Sequence, residues 1–280
     1  MHKNSIKNRA GSSVLATAVL TTFLTLASPA AFADQSEDAK HADRADTTRC
    51  KGLPSHGQLK AALNAAVAAD STGLDNQMWG TIVDDTGKVC AVAFSGATLG
   101  AQWLASRVIS AQKANTANSL SLDDLAFSTA LLFSAAQPGG FLFGLQHSNP
   151  VDTEVAYKGP SANFGRHNDP MVGFRIGGIN VFGGGLALYS AGHVKMGGVG
   201  VSGDTSCTDH FIAWRLRKNL NLDHLAGIPR FVSGDAARPD NIVFDITSNP
   251  GGGTGISAGG FGHPSCPGAG NPATLPVVVP

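Results

Sequence analysis

Apolar residues follow two rhythms along this chain, and their succession sets out an α+β domain. Between Ser55 and Ala69, Leu59, Leu63 and Val67 stand four residues apart among alanines, the spacing of one helix face. Met78 to Val83 reads as a strand and Val89 to Phe94 as its return. Asp84-Asp85-Thr86-Gly87 turns between them, with glycine where a positive φ is tolerated. Residues 78–94 are thus expected to form a hairpin. Gln102 to Asn118 is helical in pattern. Ser121 with Asp124 three residues on resembles a capping box. A helix is therefore expected through Leu125, Phe127 and Leu132, stopped at Pro138-Gly139-Gly140. Strands are expected near 179–182, 186–190 and 194–201, and a last helix from Ser206 to about Asn219.

A local hairpin plus a three-strand meander predicts a five-stranded, mostly antiparallel sheet covered by helices, an α+β layered domain. Other stretches break the rhythm. Gly140 to Gly178 is rich in Gly, Asn and Pro and carries Phe141, Phe143 and Phe164; a long, packed insertion over 140–178 is expected. Residues 34–49 are polar and unpatterned, which reads as a disordered leader. From 249 to 280, Gly, Pro and small residues predict an irregular coil laid over the domain, whose body spans 50–248.

The N-terminus has a separate logic. Lys3, Lys7 and Arg9 precede an apolar run from Val14 to about Ala27, and Ala31 and Ala33 offer a small-residue cleavage site. These are the parts of a secretory signal peptide over 1–33. The run is short and Thr-rich against the roughly 20 residues of a membrane span. The chain is therefore expected to be secreted or periplasmic, with no membrane association after cleavage. Four cysteines, Cys50, Cys90, Cys207 and Cys266, in an exported chain favour two disulfides out of three possible pairings. Cys50–Cys90 with Cys207–Cys266 is the favoured one. The formal net charge is zero and no basic patch stands out, so nucleic acid is not an expected partner. Low charge is compatible with self-association.

Four segments in order resemble the HbpS/GlcG-like haem-binding family. They are Ile82-Val83-Asp84-Asp85-Thr86-Gly87; Ser110-Ala111-Gln112-Lys113-Ala114-Asn115-Thr116-Ala117; Gly177-Gly178-Ile179-Asn180-Val181; and Met196-Gly197-Gly198-Val199-Gly200-Val201-Ser202-Gly203, followed by Asp209. The resemblance spans roughly 55–220. It implies a profilin-like layered fold, frequent homo-oligomers, and a role in binding haem, sometimes degrading it. Asn180 stands where the family usually has Pro, and the 140–178 insertion is longer than in small cytosolic members.

Several residues are candidates for the chemistry. Lys113, on a helix of small residues, could meet a haem propionate through a charge-assisted hydrogen bond or serve only as a structural contact. Arg107, six residues earlier, is expected on the same side. Histidine is the first choice for an axial iron ligand. His147 lies beside Phe141 and Phe143, a mixture suited to a flat apolar ring, and His210 opens the last helix. His193, His167 and Tyr157 are weaker candidates. Cys207-x-x-His210 mirrors His263-x-x-Cys266, so a tetrahedral zinc site competes with the disulfide. Gly198 to Gly203 is a literal G-x-G-x-x-G, but a dinucleotide site needs a parallel βαβ unit. Close packing is the simpler use of those glycines. No H-E-x-x-H or Walker loop occurs. Three functions are compatible with this chain: an exported haem-binding protein for capture, storage or sensing, an enzyme acting on haem or another small molecule, and a non-catalytic module of the same fold.

Overall fold

The computed structural model describes residues 50–280; the expected signal peptide over 1–33 and leader over 34–49 lie outside the described residues. Helix α1 is His56–Ala68. A capping box starts it: Ser55 Oγ accepts the Gln58 N–H, and Gln58 Oε1 accepts the Ser55 N–H. Strands β1 (Trp79–Asp84) and β2 (Val89–Phe94) form the expected hairpin. Helix α2 is Ser106–Leu120. Strands β3 (Gly185–Ser190) and β4 (Val194–Ser202) make a second hairpin, and helix α3, Ser206–Asn219, comes next. The main sheet has the order β2-β1-β4-β3, with every pairing antiparallel.

The sheet has four strands, not five. Gly177 and Gly178 take φ of 61° and 79°, a left-handed conformation that interrupts an extended run. Asn180 donates its N–H to Thr116 Oγ1 at 2.9 Å, so the segment over 179–182 hangs on α2 and forms no strand. The helix expected after Ser121 is also absent. Ser121 Oγ closes a loop by accepting the Phe127 N–H, and Asp123 and Asp124 engage Lys195 and Arg230. In place of that helix stand a 3₁₀ turn over Thr129–Leu132 and one helical turn over Phe133–Ala136.

Helix α2 covers one face of the sheet, and α1 with α3 cover the other. Burial on both faces explains why all six residues of β1 are buried. Val199 and Val201 face Leu59, Leu63 and Phe211 in one core; Trp79, Val83 and Val92 meet Val108 and Met171 in the other. Each large apolar side chain so placed contributes about 1.5–3 kcal/mol. The glycines of β4 set the distance to α2. A Cβ on Gly198 or Gly200 would fall 2.3 or 1.9 Å from the carbonyl oxygens of Ala114 and Ser110. The helix backbone therefore rests directly on the strand. The G-x-G-x-x-G run is a packing device in an antiparallel sheet.

The structure pairs Cys50 with Cys90 and Cys207 with Cys266. The second bridge holds the C-terminal segment, where Leu275 and Val278 are buried. No helix among the described residues is long and apolar enough to cross a membrane.

Candidate functional site

Lys113 and Arg107 are both sealed inside the fold. Lys113 Nζ donates to Asp209 Oδ2 at 2.6 Å and to the Val201 carbonyl at 3.1 Å. It also lies 4.7 Å from the Phe182 ring centre. The side chain has no exposed surface. Burial lowers the Lys113 pKa, against the pull of Asp209, and raises that of Asp209 to about 6. Asp209 Oδ1 accepts the N–H groups of Gly203 and Asp204, so this pair ties α2 to the end of β4 and the start of α3. Arg107 forks onto Asp169, donates to the Ala156 carbonyl at 2.8 Å and stacks under Phe164.

These partners correct the expectation of two cations facing one ligand. Six residues turn an α-helix through about 600°, which leaves Arg107 and Lys113 roughly 120° apart. Each is neutralised by its own aspartate. Phe164 likewise packs on Arg107, whose guanidinium lies 3.7 Å from its ring centre.

His210 is also removed from the ligand set. It is fully buried, and its Nε2 accepts the Ile242 N–H at 3.1 Å. Its Nδ1 has no hydrogen-bond partner among the described residues. Burial, assisted by the charge of Arg217, lowers its pKa to about 3. His193 sits in the β3–β4 turn with Nε2 3.0 Å from the Ala226 carbonyl. His167 and Tyr157 are exposed. The disulfide takes both sulfurs of the alternative zinc set.

His147 differs from all of these. It is exposed, and its ring stands edge-on to Phe143, with centroids 6.5 Å apart. Phe143 and Phe141 are themselves 59% and 65% exposed. Phe141 packs edge-on against Phe261 at 5.3 Å, and Phe261 against Phe127 at 5.5 Å. Beside Phe141 lies an open hollow of about 370 Å³. Ser134, Gln137, Gly140, Ile256 and Ser257 help to line it, and no ionisable group among the described residues does. The second wall comes from Thr254 to Ser257 and Gly260, where Ile256–Ser257 pairs with Ile246–Thr247 as a two-stranded ribbon. Sequence patterning does not reach Phe261 or Ile256, which lie more than 100 residues from Phe141 in a Gly-rich coil without periodicity.

Fold and site together define an α+β layered protein with a solid, ion-paired interior and an exposed aromatic face carrying an imidazole. A family model described as "Haem degrading protein HbpS-like" matches residues 55–216, and the chain belongs to that family. Among solved structures, the Klebsiella pneumoniae protein ORFY (DUF336) is similar at 24% identity. The match covers 59% of this chain and 86% of that one, with a TM-score of 0.40. A PduOC–haem complex is similar at 25% identity, over 59% of this chain and 91% of that one, also with a TM-score of 0.40. No curated protein matches the chain.

Among the described candidates, His147 and its neighbours fit haem. An exposed imidazole among exposed phenylalanines suits an iron porphyrin in donor type and polarity. The paired cations of α2 do not fit, having neither exposure nor spare charge.

Proposed function

We propose that this is an exported haem-binding protein that takes haem on the aromatic face around Phe141 and Phe143, with His147 as the iron ligand. The observation that carries this reading is the placement of an exposed imidazole beside exposed phenylalanines on one short segment, in a chain of a haem-degrading family. Clustered apolar surface of this kind marks a binding site more often than chance exposure does. His147 would hold the iron of a bound haem, which would supply redox chemistry there. Phe141 and Phe143 exclude water from an apolar ring. Gln137 Oε1 offers an acceptor to polar substituents at the edge of the hollow, while the Ser134 and Ser257 hydroxyls donate to the Gly262 carbonyl and Asp245. Two disulfides support an oxidising compartment, in line with the N-terminal pattern. The low net charge, with Trp103 and Leu104 exposed, supports self-association.

Titrating haem into the purified protein tests the reading. A saturable Soret band is expected, with its position shifted in His147→Ala. His210→Ala is expected to leave the spectrum of the folded protein unchanged. Absence of any spectral change at micromolar haem would remove the proposal and leave a non-catalytic module. The family description also favours breakdown of the ligand as a second reading. Adding a reductant in air to the complex separates the two: loss of the Soret band with release of iron marks an enzyme, and a stable band marks a binder.

A further inference from the structure

The Cys207–Cys266 bridge has a third neighbour that haem binding leaves unused. His263 is buried, with Nδ1 4.0 Å from Cys207 Sγ. Both sulfurs and the imidazole lie within 4.8 Å of one another. Nδ1 donates to the Pro264 carbonyl at 2.7 Å, Nε2 accepts the Gly183 N–H at 3.4 Å, and the ring leans on Phe133 with centroids 5.0 Å apart. These contacts place the ring beside the bridge without any bond to it. The Cys207 N–H, in the first turn of α3, points at Cys266 Sγ from 3.2 Å, and Ser206 Oγ stands 3.5 Å from the same atom. A neutral disulfide sulfur is a weak acceptor. A thiolate at a helix N-terminus is a strong one and is stabilised there.

We propose that, once this bridge is reduced, Cys207, Cys266 and His263 bind a borderline-soft divalent cation of the Zn²⁺ class, so that disulfide and metal are mutually exclusive occupants of one position. The first step is thiol–disulfide exchange. A dithiol reductant delivers two electrons and two protons, the S–S bond breaks, two thiols form, and the reductant becomes its own disulfide. The cation then displaces both thiol protons. The imidazole proton moves from Nδ1 to Nε2 at the cost of both the hydrogen bond to the Pro264 carbonyl and the one from Gly183. Tetrahedral zinc–sulfur and zinc–nitrogen bonds of about 2.3 and 2.0 Å place ligand atoms roughly 3.5–3.8 Å apart. The Cys207–His263 spacing is already close to this, so the main adjustment is separation of the two sulfurs. Two thiolates and an imidazole select against calcium and magnesium. The fourth position falls to water or the Ser206 hydroxyl.

The test uses the full chain, reduced by dithiothreitol, separated from it under anaerobic metal-free conditions, and titrated with Co²⁺. One equivalent is expected to produce thiolate-to-cobalt charge-transfer and tetrahedral d–d bands. Zn²⁺ should displace it and protect Cys207 and Cys266, but not Cys50 and Cys90, from alkylation read by mass spectrometry. His263→Ala should weaken binding at least tenfold while its far-UV spectrum stays that of the parent. His263→Cys, which restores a soft ligand, should recover it if the alanine variant folds poorly. The proposal is overturned by absence of the bands, by collapse of the domain on reduction, by protection confined to Cys50 and Cys90, or by unchanged affinity in a folded His263→Ala.

Discussion

Two regions of this molecule place rings beside polar groups and use them in opposite ways. Around α2, Lys113 under Phe182 and Arg107 under Phe164 are buried, and each is answered by an aspartate. Around Phe141, Phe143 and His147, the rings stand in solvent, and no acid or second cation among the described residues lines the adjoining hollow. The contrast turns on space. Small side chains on a helix suggest room for a ligand, but here they face the glycines of β4 and let two backbones touch. The cations are then enclosed, and the cost of desolvating them is offset only by a well-placed counter-charge. On the aromatic face Phe141 and Phe143 keep more than half of their surface in solvent, so that surface stays open to an external partner.

The largest effect is expected at the closed region. Lys113→Met leaves Asp209 buried without its cation, and breaking such a pair costs about 3–5 kcal/mol. Thermal unfolding should show it as a fall in Tm of roughly 6–20 °C for a domain of this size. The double variant Lys113→Met with Asp209→Asn should recover much of the loss, because the amide oxygen can still accept from Gly203 and Asp204. If Lys113→Met instead abolishes haem binding while Tm holds, the closed interior and the open face are one functional unit, and the separation between them fails.

Acid provides a milder probe of the same interior. Burial holds the His210 pKa at about 3 and that of His263 at about 4, whereas an unfolded chain takes up these protons near 6.5. Through that interval the unfolded state binds more protons, so stability is complete above about pH 6.5 and is lost as pH falls. Asp209 acts in the opposite sense. Its folded pKa is raised to about 6, so the folded state binds the extra proton between about 6 and the ordinary aspartate value. Two histidines against one aspartate leave a net loss of about 1.4 kcal/mol per pH unit between roughly pH 6 and 4. Denaturant unfolding across that range should show the slope, and His210→Gln should come close to removing it. Equal slopes in the two proteins would refute the assignment.

The ease of reading these features from the chain depends on how local their causes are. Helix α1, the 79–94 hairpin and α3 each carry their own periodicity and caps, and their positions agree with the pattern. The helix expected after Ser121 and the strand expected at 179–182 fail for non-local reasons. Arg230, Lys195 and Thr116 take the groups that would have served local structure. Lys113 is conspicuous in sequence, but its partner Asp209 lies 96 residues away, and no spacing rule links them. His147 with Phe141 and Phe143 is legible because the cluster is a single segment. The opposite wall, from Ile256 to Phe261, reaches it only through tertiary packing.

The smallest effect on stability, and the sharpest separation of the two regions, is expected from Phe143→Ala. The ring is mostly in solvent, so its loss should change unfolding free energy by no more than about 0.5 kcal/mol. The same truncation takes an aromatic surface from one side of the proposed haem position and leaves His147 without its neighbouring ring. A tenfold loss of haem affinity corresponds to about 1.4 kcal/mol, within reach of one aromatic contact. A Soret titration paired with a melting curve on one preparation reads both quantities. Unchanged affinity with unchanged stability would show that the open face is not where haem sits. A large fall in Tm would show that this face supports the fold, and that its exposure does not mark a site kept free for a ligand.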